Sequence, residues 1–342
     1  LDREPYPKNK TIKMTIKKAI RFLSIHSLAV AFAILSQIGP LDASEGGSPF
    51  KNILSFGDSL SDSGNLYALT GGAFPPPPDF EGRKSNGILW NEYLAHDLGS
   101  ELLLKNNYSF IGAKTGTGNL DLNLPGTGFL TQVDQYLADV GDTGAHPQDL
   151  FIVGAGANDF FGFFLQAKEN PLDAGVDNTV EGIERLLVAG ARHVVVLNVP
   201  DLGRTPLFAF STAPLSEYAG LATSLSGEYN RQLAIALKGL EAEYPANIVM
   251  VDAYSIINQI QVDPSAFGLN NGLLPSNPSI SAPFGNPDPN KSLFWDFVHP
   301  TTAGHRILAD FALDAVIESY LSPSGKAFDN ASGLTPAAIG KN

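Results

Sequence analysis

From residue 50 onward, short apolar runs alternate with stretches whose apolar residues recur every three or four positions. The first pattern predicts buried strands and the second predicts amphipathic helices. Strand-like runs fall at 53–56, 107–113, 149–153, 194–199 and 248–251. Helical spacing appears in Leu89, Trp90, Tyr93, Leu94 and Leu98, closed by Gly99. It returns in Phe129, Val133, Tyr136 and Val140, then across 176–189, 216–244 and 253–260. A last helix, capped by Thr301 or Thr302, turns Ile307, Leu308, Phe311, Ala312 and Val316 inward. The continuous run at 149–153 suits a parallel sheet covered on both faces. Strand and helix in alternation predict an α/β domain with about five parallel strands.

Three stretches lack either period. Residues 71–87 carry four consecutive prolines, which no helix or central strand tolerates, so they form a stiff surface loop. Residues 114–128 are rich in Gly, Thr and Asn but lack the Gly-Lys-Ser/Thr ending of a phosphate-binding loop. Residues 264–293, rich in Pro, Asn, Ser and Gly, read as a long functional loop.

The amino-terminal end has a different character. Lys8, Lys10, Lys13, Lys17, Lys18 and Arg21 precede an interrupted apolar run, and Ala43 offers a small residue at a cleavage point. Residues 1–43 therefore read as a secretory signal, with Met14 a possible true start. The apolar run is short and broken for a retained anchor, so no stable membrane span is expected after processing. The expected divisions are a 44–50 linker, a 51–321 catalytic domain and a 322–342 tail.

Charge and cysteine content narrow the function. The formal net charge is −13, and residues 1–43 hold seven Lys and Arg against three Asp and Glu, which leaves −17 for the rest. So acidic a surface is a poor nucleic-acid binder. Cysteine is absent, which removes disulfides, thiolate catalysis and cysteine-ligated metal or cluster sites. His26 and His96 stand without a nearby ligand pattern and no His-Glu-x-x-His occurs, so neither a metal nor another cofactor is expected.

Polar clusters follow or border apolar elements at Ser59, Asn158 and Asp296–His299. Open α/β sheets bind ligands at the carboxyl ends of their strands. Ser59, in a segment expected to begin a helix capped by Ser59 or Ser61, is a candidate nucleophile. His299 is a candidate base, since imidazole ordinarily titrates near 6.5. Asp296 can orient it. Asn158 and the backbone amides of Ser59 and Gly112 are candidate oxyanion donors. Each also has a bland reading: Asp58–Ser59 as a turn, Asn158–Asp159 as a turn after a strand, and Asp296 and His299 as caps of the last helix.

The run Gly57-Asp58-Ser59-Leu60-Ser61-Asp62-Ser63-Gly64-Asn65 resembles the first block of the GDSL lipases and esterases, in the SGNH hydrolase superfamily. Gly156-Ala157-Asn158-Asp159 and Asp296-Phe297-Val298-His299 are similar to its Gly-x-Asn-Asp and Asp-x-x-His blocks. The 107–113 stretch is similar to the block that carries the oxyanion glycine, although Ile111-Gly112-Ala113-Lys114 departs from the two glycines and Ala-Thr of many relatives. The resemblance runs from about residue 50 to 320 in the family's order. It implies a three-layer α/β/α sandwich with Ser59, His299 and Asp296 as a triad and Ser59, Gly112 and Asn158 as the oxyanion hole. It points to the branch of bacterial secreted phospholipases, haemolysins and plant-type lipases. The expected partner is a lipid or other small ester. A carbohydrate acetylesterase, a lipid acyltransferase and a non-catalytic secreted binding protein are the alternatives. Phe74, Phe160, Phe161, Phe163, Phe164, Phe294, Trp295 and Phe297 are candidates for an apolar wall, each weighed against a core role.

Overall fold

In the computed structural model, which describes residues 48–321 except 122, 125 and 167–169, four strands pair side by side. They are β1 (Ile53–Gly57), β2 (Leu150–Gly154), β3 (His193–Leu197) and β4 (Asn247–Val251), in that order and all parallel. The helices are α1 (Asn65–Leu69), α2 (Trp90–Asp97), α3 (Phe129–Val140), α4 (Ala157–Gln166) and α5 (Pro171–Val188). They continue with α6 (Pro206–Phe210), α7 (Ala219–Glu243), α8 (Ala253–Val262) and α9 (Thr302–Leu321).

Alternation along each strand explains the three layers. Leu54 and Phe56 of β1, Phe151 and Val153 of β2, and Val194 and Val196 of β3 share one face of the sheet. They join a single buried cluster with Phe129 and Val133 of α3, Ile183 and Leu186 of α5, and Leu233 and Leu237 of α7. The intervening side chains point the other way. There α2 and α9 pack together and α9 lies against β4, and Asn91 Nδ2 of α2 donates to Ser55 Oγ of β1 at 2.9 Å. The sheet is thus buried on both faces, which accounts for its near-continuous apolar strands. The architecture is a three-layer α/β/α sandwich.

Several expected boundaries change. The 107–113 run forms a rudimentary fifth strand: Tyr108 N donates to Ser55 O at 2.7 Å and Phe110 N to Gly57 O at 3.0 Å, with one parallel bridge between Ser55 and Asn107. Polar Asn107 and Ser109 spend their hydrogen bonds on the segment after β1, so a full ladder does not develop. The helix expected from residue 61 begins only at Asn65. Asp62, not Ser59 or Ser61, takes its first amides, accepting from Gly64 N at 2.8 Å and Asn65 N at 2.6 Å. Phe50, read as linker, is buried with its ring 5.6 Å from that of His193. The expected signal segment, residues 44–47 of the expected linker and the whole of the expected 322–342 tail lie outside the described residues.

With the 107–111 segment beside β1, connections leave β1 in one direction and enter β2 from the other. Such a switch point opens a crevice at the carboxyl ends of the strands. Both strands end in glycine, Gly57 facing Gly154. Gly57 has φ +147°, and a Cβ there would stand 2.1 Å from Gly154 O. The close approach lets the chain turn sharply into Asp58–Ser59.

Phe56 is the hinge of the apolar cluster, stacked on Tyr108 at 5.1 Å and near the rings of Phe129, Tyr136 and Phe151. Phe56→Ala is predicted to lower unfolding free energy by about 3–5 kcal/mol. Urea denaturation followed by circular dichroism measures this, and a loss below about 1 kcal/mol would contradict the packing described.

Candidate active site

The turn after β1 is built by one residue. Asp58 O accepts from Ser61 N and Asp62 N, both at 3.0 Å, and Asp58 Oδ1 accepts from Leu60 N at 3.0 Å. This leaves Ser59 at the end of the strand with its Oγ turned toward the crevice. Asp62 then reaches across to accept from Ile111 N at 2.9 Å. Asn65 Nδ2 donates to Asn107 O at 2.7 Å and Ser109 O at 2.8 Å, while Asn107 Nδ2 donates to Ser61 O at 2.7 Å. The polar residues 58–65 are therefore stitched to 107–111, and Ser59 and Gly112 are held at fixed separation.

The opposite wall comes from the loop before α9. Ser59 Oγ lies 2.8 Å from His299 Nε2. His299 Nδ1 lies 2.9 and 2.8 Å from the two carboxylate oxygens of Asp296. Asp296 Oδ1 also accepts from the amides of Val298 at 2.9 Å and His299 at 2.8 Å. These bonds fold the Asp-x-x-His segment into a turn. Trp295 N donates to His299 O at 2.8 Å and closes it. Thr301 Oγ1, which accepts from Gly304 N at 3.1 Å, occupies the head of α9, so Asp296 and His299 do not serve as caps. With Nδ1 donating to Asp296, the ring presents Nε2 to Ser59 as an acceptor. Burial would raise the Asp296 carboxyl, but the charge and hydrogen bond of His299, then Lys84, outweigh it. They hold it well below the usual carboxylate range.

Gly112 and Asn158 border the same cavity as Ser59. Gly112 has φ +81°, and an added Cβ would meet Asn119 Oδ1 at 2.3 Å, so only glycine fits. Asn119 is fixed in turn by donating to Ile111 O at 2.9 Å and Thr127 Oγ1 at 2.8 Å. Neither the Ser59 nor the Gly112 amide has an acceptor among the described residues. Asn158 Nδ2 donates one hydrogen to Ala113 O at 2.9 Å and has a second to offer. Asp159 supports the same loop, accepting from Thr115 N at 3.0 Å and Thr115 Oγ1 at 2.9 Å. The five sequence-predicted residues thus meet at one cavity of about 530 Å³.

Of the aromatic candidates, Phe161, Phe294 and Phe297 line that cavity. The others do not. Phe160 is buried with its ring 5.7 Å from that of Tyr229, Phe164 packs on Phe208 at 5.3 Å, and Phe163 lies against Phe164. Trp295 is buried and donates its Nε1 to Asp79 Oδ1 at 2.6 Å. Phe74 is 43% exposed. The bland packing role prevails for Phe160, Phe164 and Trp295 because α4 and the 294–298 turn each have an inner and an outer side.

A model of the GDSL-like lipase/acylhydrolase family matches residues 53–312. The chain belongs to that family. It is 27% identical to the thermolabile hemolysin of Vibrio parahaemolyticus, over 80% of this chain and 66% of that protein. It is 26% identical to the phosphatidylcholine-sterol acyltransferase of Aeromonas hydrophila, over 82% of this chain and 94% of that protein. It is 28% identical to esterase EstA of Pseudomonas aeruginosa, over 88% of this chain and 50% of that protein. The chain thus spans about two thirds of the hemolysin and half of EstA. In fold it is similar to an acetylxylan esterase of Geobacillus stearothermophilus, with TM-score 0.40, 16% identity, and 79% of this chain and 95% of that chain covered. As a family member the chain is a GDSL/SGNH-type serine hydrolase with the machinery for carboxylic esters.

Reading the sequence missed several residues that build this site. Asp62, buried, and Asp159, half-buried, are carboxylates that hold the Gly112 loop. Asp79 and Lys84 lie in the proline-rich loop, which gave no periodic signal. Ser85 and Asn86 in the same loop bond to the His299 region: Ser85 Oγ donates to Pro300 O at 3.0 Å and Asn86 Oδ1 accepts from Thr302 N at 2.8 Å. A run of short polar residues just before a helix was the available signal.

Asp58 borders the cavity, and among the described residues no cation is bonded to it. Burial pushes its carboxyl up to about 6, against the Leu60 amide and the charge of His299. The folded state therefore holds the proton more tightly than the unfolded chain. Any stability from that proton is complete below the unfolded value of 3.8 and is lost as pH rises through about 6. Asp58→Asn keeps the acceptor for Leu60 N without the ionisation. Its stability relative to wild type is predicted to improve by roughly 2 kcal/mol between pH 4 and pH 8. Urea unfolding at the two pH values measures the change, and a pH-independent difference would rule out the buried ionisation.

Proposed function

We propose that this chain hydrolyses esters of apolar acyl groups through an acyl-enzyme on Ser59. The observation that carries the reading is the unbroken hydrogen-bonded series Ser59 Oγ, His299 Nε2 and Nδ1, Asp296, at an apolar cavity. His299 Nε2 takes the proton of Ser59 as Oγ attacks the ester carbonyl. The oxyanion sits between the amides of Ser59 and Gly112 and the free N–H of Asn158. Asp296 stabilises the imidazolium, which then protonates the departing alkoxide. Water enters, gives its proton to His299, and attacks the acyl-enzyme; collapse returns the acid and a neutral Ser59.

The cavity supports an acyl group larger than acetyl. Its volume lies within the usual range for small-molecule sites, and Leu120, Phe161, Leu165, Leu202, Leu207 and Phe297 contribute to its lining. The names of similar proteins favour the two enzymatic alternatives more than lipid hydrolysis. The Aeromonas hydrophila relative is a phosphatidylcholine-sterol acyltransferase, and one of the similar solved structures is an acetylxylan esterase. Transfer to an alcohol is the second reading, since the same acyl-enzyme serves both and only the acceptor differs. We also propose that residues 1–43 direct export and are removed. Support comes from their basic front and apolar run, and amino-terminal sequencing of the exported protein tests it.

Ser59→Ala is predicted to lower kcat on an aryl ester by roughly 10⁴-fold or more; an active variant would remove Ser59 from the mechanism. Asn158→Ala is predicted to lower kcat by about 10²- to 10³-fold with a smaller effect on KM, and a change confined to KM would deny it the oxyanion role. In a chain-length series on one leaving group, each added methylene should raise kcat/KM by up to about fourfold until the cavity is filled. Activity that ends at acetate, with strong release from acetylated xylan, would replace the apolar reading. Ester products formed with a sterol or simple alcohol, in preference to free acid, would establish transfer.

A further inference from the structure

Among the described residues bordering the cavity, Lys84 is the only lysine or arginine. Its side chain is 19% exposed and its Nζ bonds to Asp79 Oδ2 at 2.7 Å. Asp79 is the more deeply buried partner, 5% exposed, and its other oxygen accepts from Trp295 Nε1 at 2.6 Å. The ammonium is therefore held from behind by a carboxylate that is itself anchored next to Asp296. From there Nζ stands 3.6 Å from Asp296 Oδ2, close enough to act on its charge but beyond a direct hydrogen bond. Both Asp296 oxygens remain within reach of His299 Nδ1.

We infer that Lys84 is a positioning residue of the Ser59–His299–Asp296 series, with Asp79 setting how much of its charge Asp296 feels. This rests on the proposed role of His299 as base. The physical reason is competition. An imidazolium on His299 gains from the negative charge of Asp296, and a cation beside the same carboxylate, 3.6 Å from Oδ2, reduces that gain. Lys84 thus favours the neutral ring, the form that can take the Ser59 proton. Partial burial keeps the interaction from being screened as a surface pair would be. The other groups facing His299 are Ser59, the carboxyl of Asp58, and His305. The last is fully buried, and burial, with the charge of His299, pushes it down to about 3, so it stays neutral at working pH. Lys84 and Asp79 act in opposite senses, which separates this role from simple scaffolding. Removing the ammonium leaves two neighbouring carboxylates that favour the imidazolium. Removing the Asp79 charge, with Asn retained as acceptor for Trp295, releases the ammonium onto Asp296.

The test is the pH dependence of kcat/KM on an aryl ester for wild type, Lys84→Met, Lys84→Arg and Asp79→Asn, in the full chain. The acid-limb midpoint is expected to rise by about 0.5–1 unit in Lys84→Met, to fall by a similar amount in Asp79→Asn, and to stay near wild type in Lys84→Arg. A midpoint does not depend on the active fraction, so a poorly folding variant still reports. Midpoints that stay together, or that move in the same direction in Lys84→Met and Asp79→Asn, would overturn the assignment. Should Lys84→Met yield no active protein, Asp79→Asn decides alone, and an unmoved midpoint there overturns it. Full activity in Ser59→Ala would instead defeat the underlying mechanism, whatever the midpoints do.

Discussion

The 2.8 Å contact between Ser59 Oγ and His299 Nε2 joins residues 240 positions apart, and the fold is arranged to keep it. A serine hydroxyl near a base is useful only when neither side chain wanders, since an error of 1 Å at a reacting group is costly. The sheet fixes one end. Gly57 and Gly154 meet at the close of β1 and β2, and Asp58 converts the strand into a turn. The other end is a loop, which by itself would be the more mobile partner. It is tied down by hydrogen bonds from 79–86, by its own Asp296 turn and by the head of α9.

Those ties explain why a stiff, non-periodic loop sits beside the site. Residues 79–88 lie against 295–302 through the Asp79–Trp295, Ser85–Pro300 and Asn86–Thr302 bonds, and Thr302 Oγ1 continues the seam to Ile88 O at 3.0 Å. Just beyond it, Trp90 N donates to the buried His305 Nδ1 at 3.3 Å. His305 Nε2 has no hydrogen-bond partner among the described residues. An orphaned buried ring nitrogen costs stability, and here it accompanies the packing of α2 on α9, the layer that backs the His299 loop. The polar interior around Ser59 is better satisfied. Asp62 and Asp159 each give one oxygen to a backbone amide, of Ile111 and Thr115 respectively, so the Gly112 loop is shaped by side chains from both neighbouring strand ends.

The parallel sheet was legible because its strands are buried on both faces and so appear as unbroken apolar runs. The helices were legible wherever one face was apolar. The candidates Ser59, His299 and Asp296 were legible for a different reason: their residue types are few, and their spacing within each block reflects local turns. What escaped was anything set by contact across the chain. The 107–113 run has strand-like apolar residues, but Asn107 and Ser109 bond to the 61–65 segment, so only one bridge forms. Lys84 gave no signal in sequence because its significance lies in the distances to Asp79 and Asp296. Trp295 looked like part of a substrate wall, yet its N–H is committed to Asp79 and its ring faces the interior.

The phenylalanine run after Asn158 shows how one structural fact redistributes roles. Read as a turn after a strand, 158–164 offers no basis for sorting its side chains. As the first turns of α4, it has the helical period of 3.6. Asn158, Phe161 and Leu165 then share one stripe, and all three border the cavity. Phe160 and Phe164 share the next stripe and pack on Tyr229 and Phe208. The same helix that presents the Asn158 amide at the Ser59 end therefore carries the apolar wall away from it. Seven residues at about 1.5 Å each place Leu165 about 10 Å along the axis from Asn158. Leu165 is 51% exposed while Phe161 is buried, so the wall runs from the reacting end outward to solvent. The position of the polar donor and the direction of the apolar surface are consequently not independent features. A single rigid element sets both: the amide at the Ser59 end and the apolar face that leads away from it.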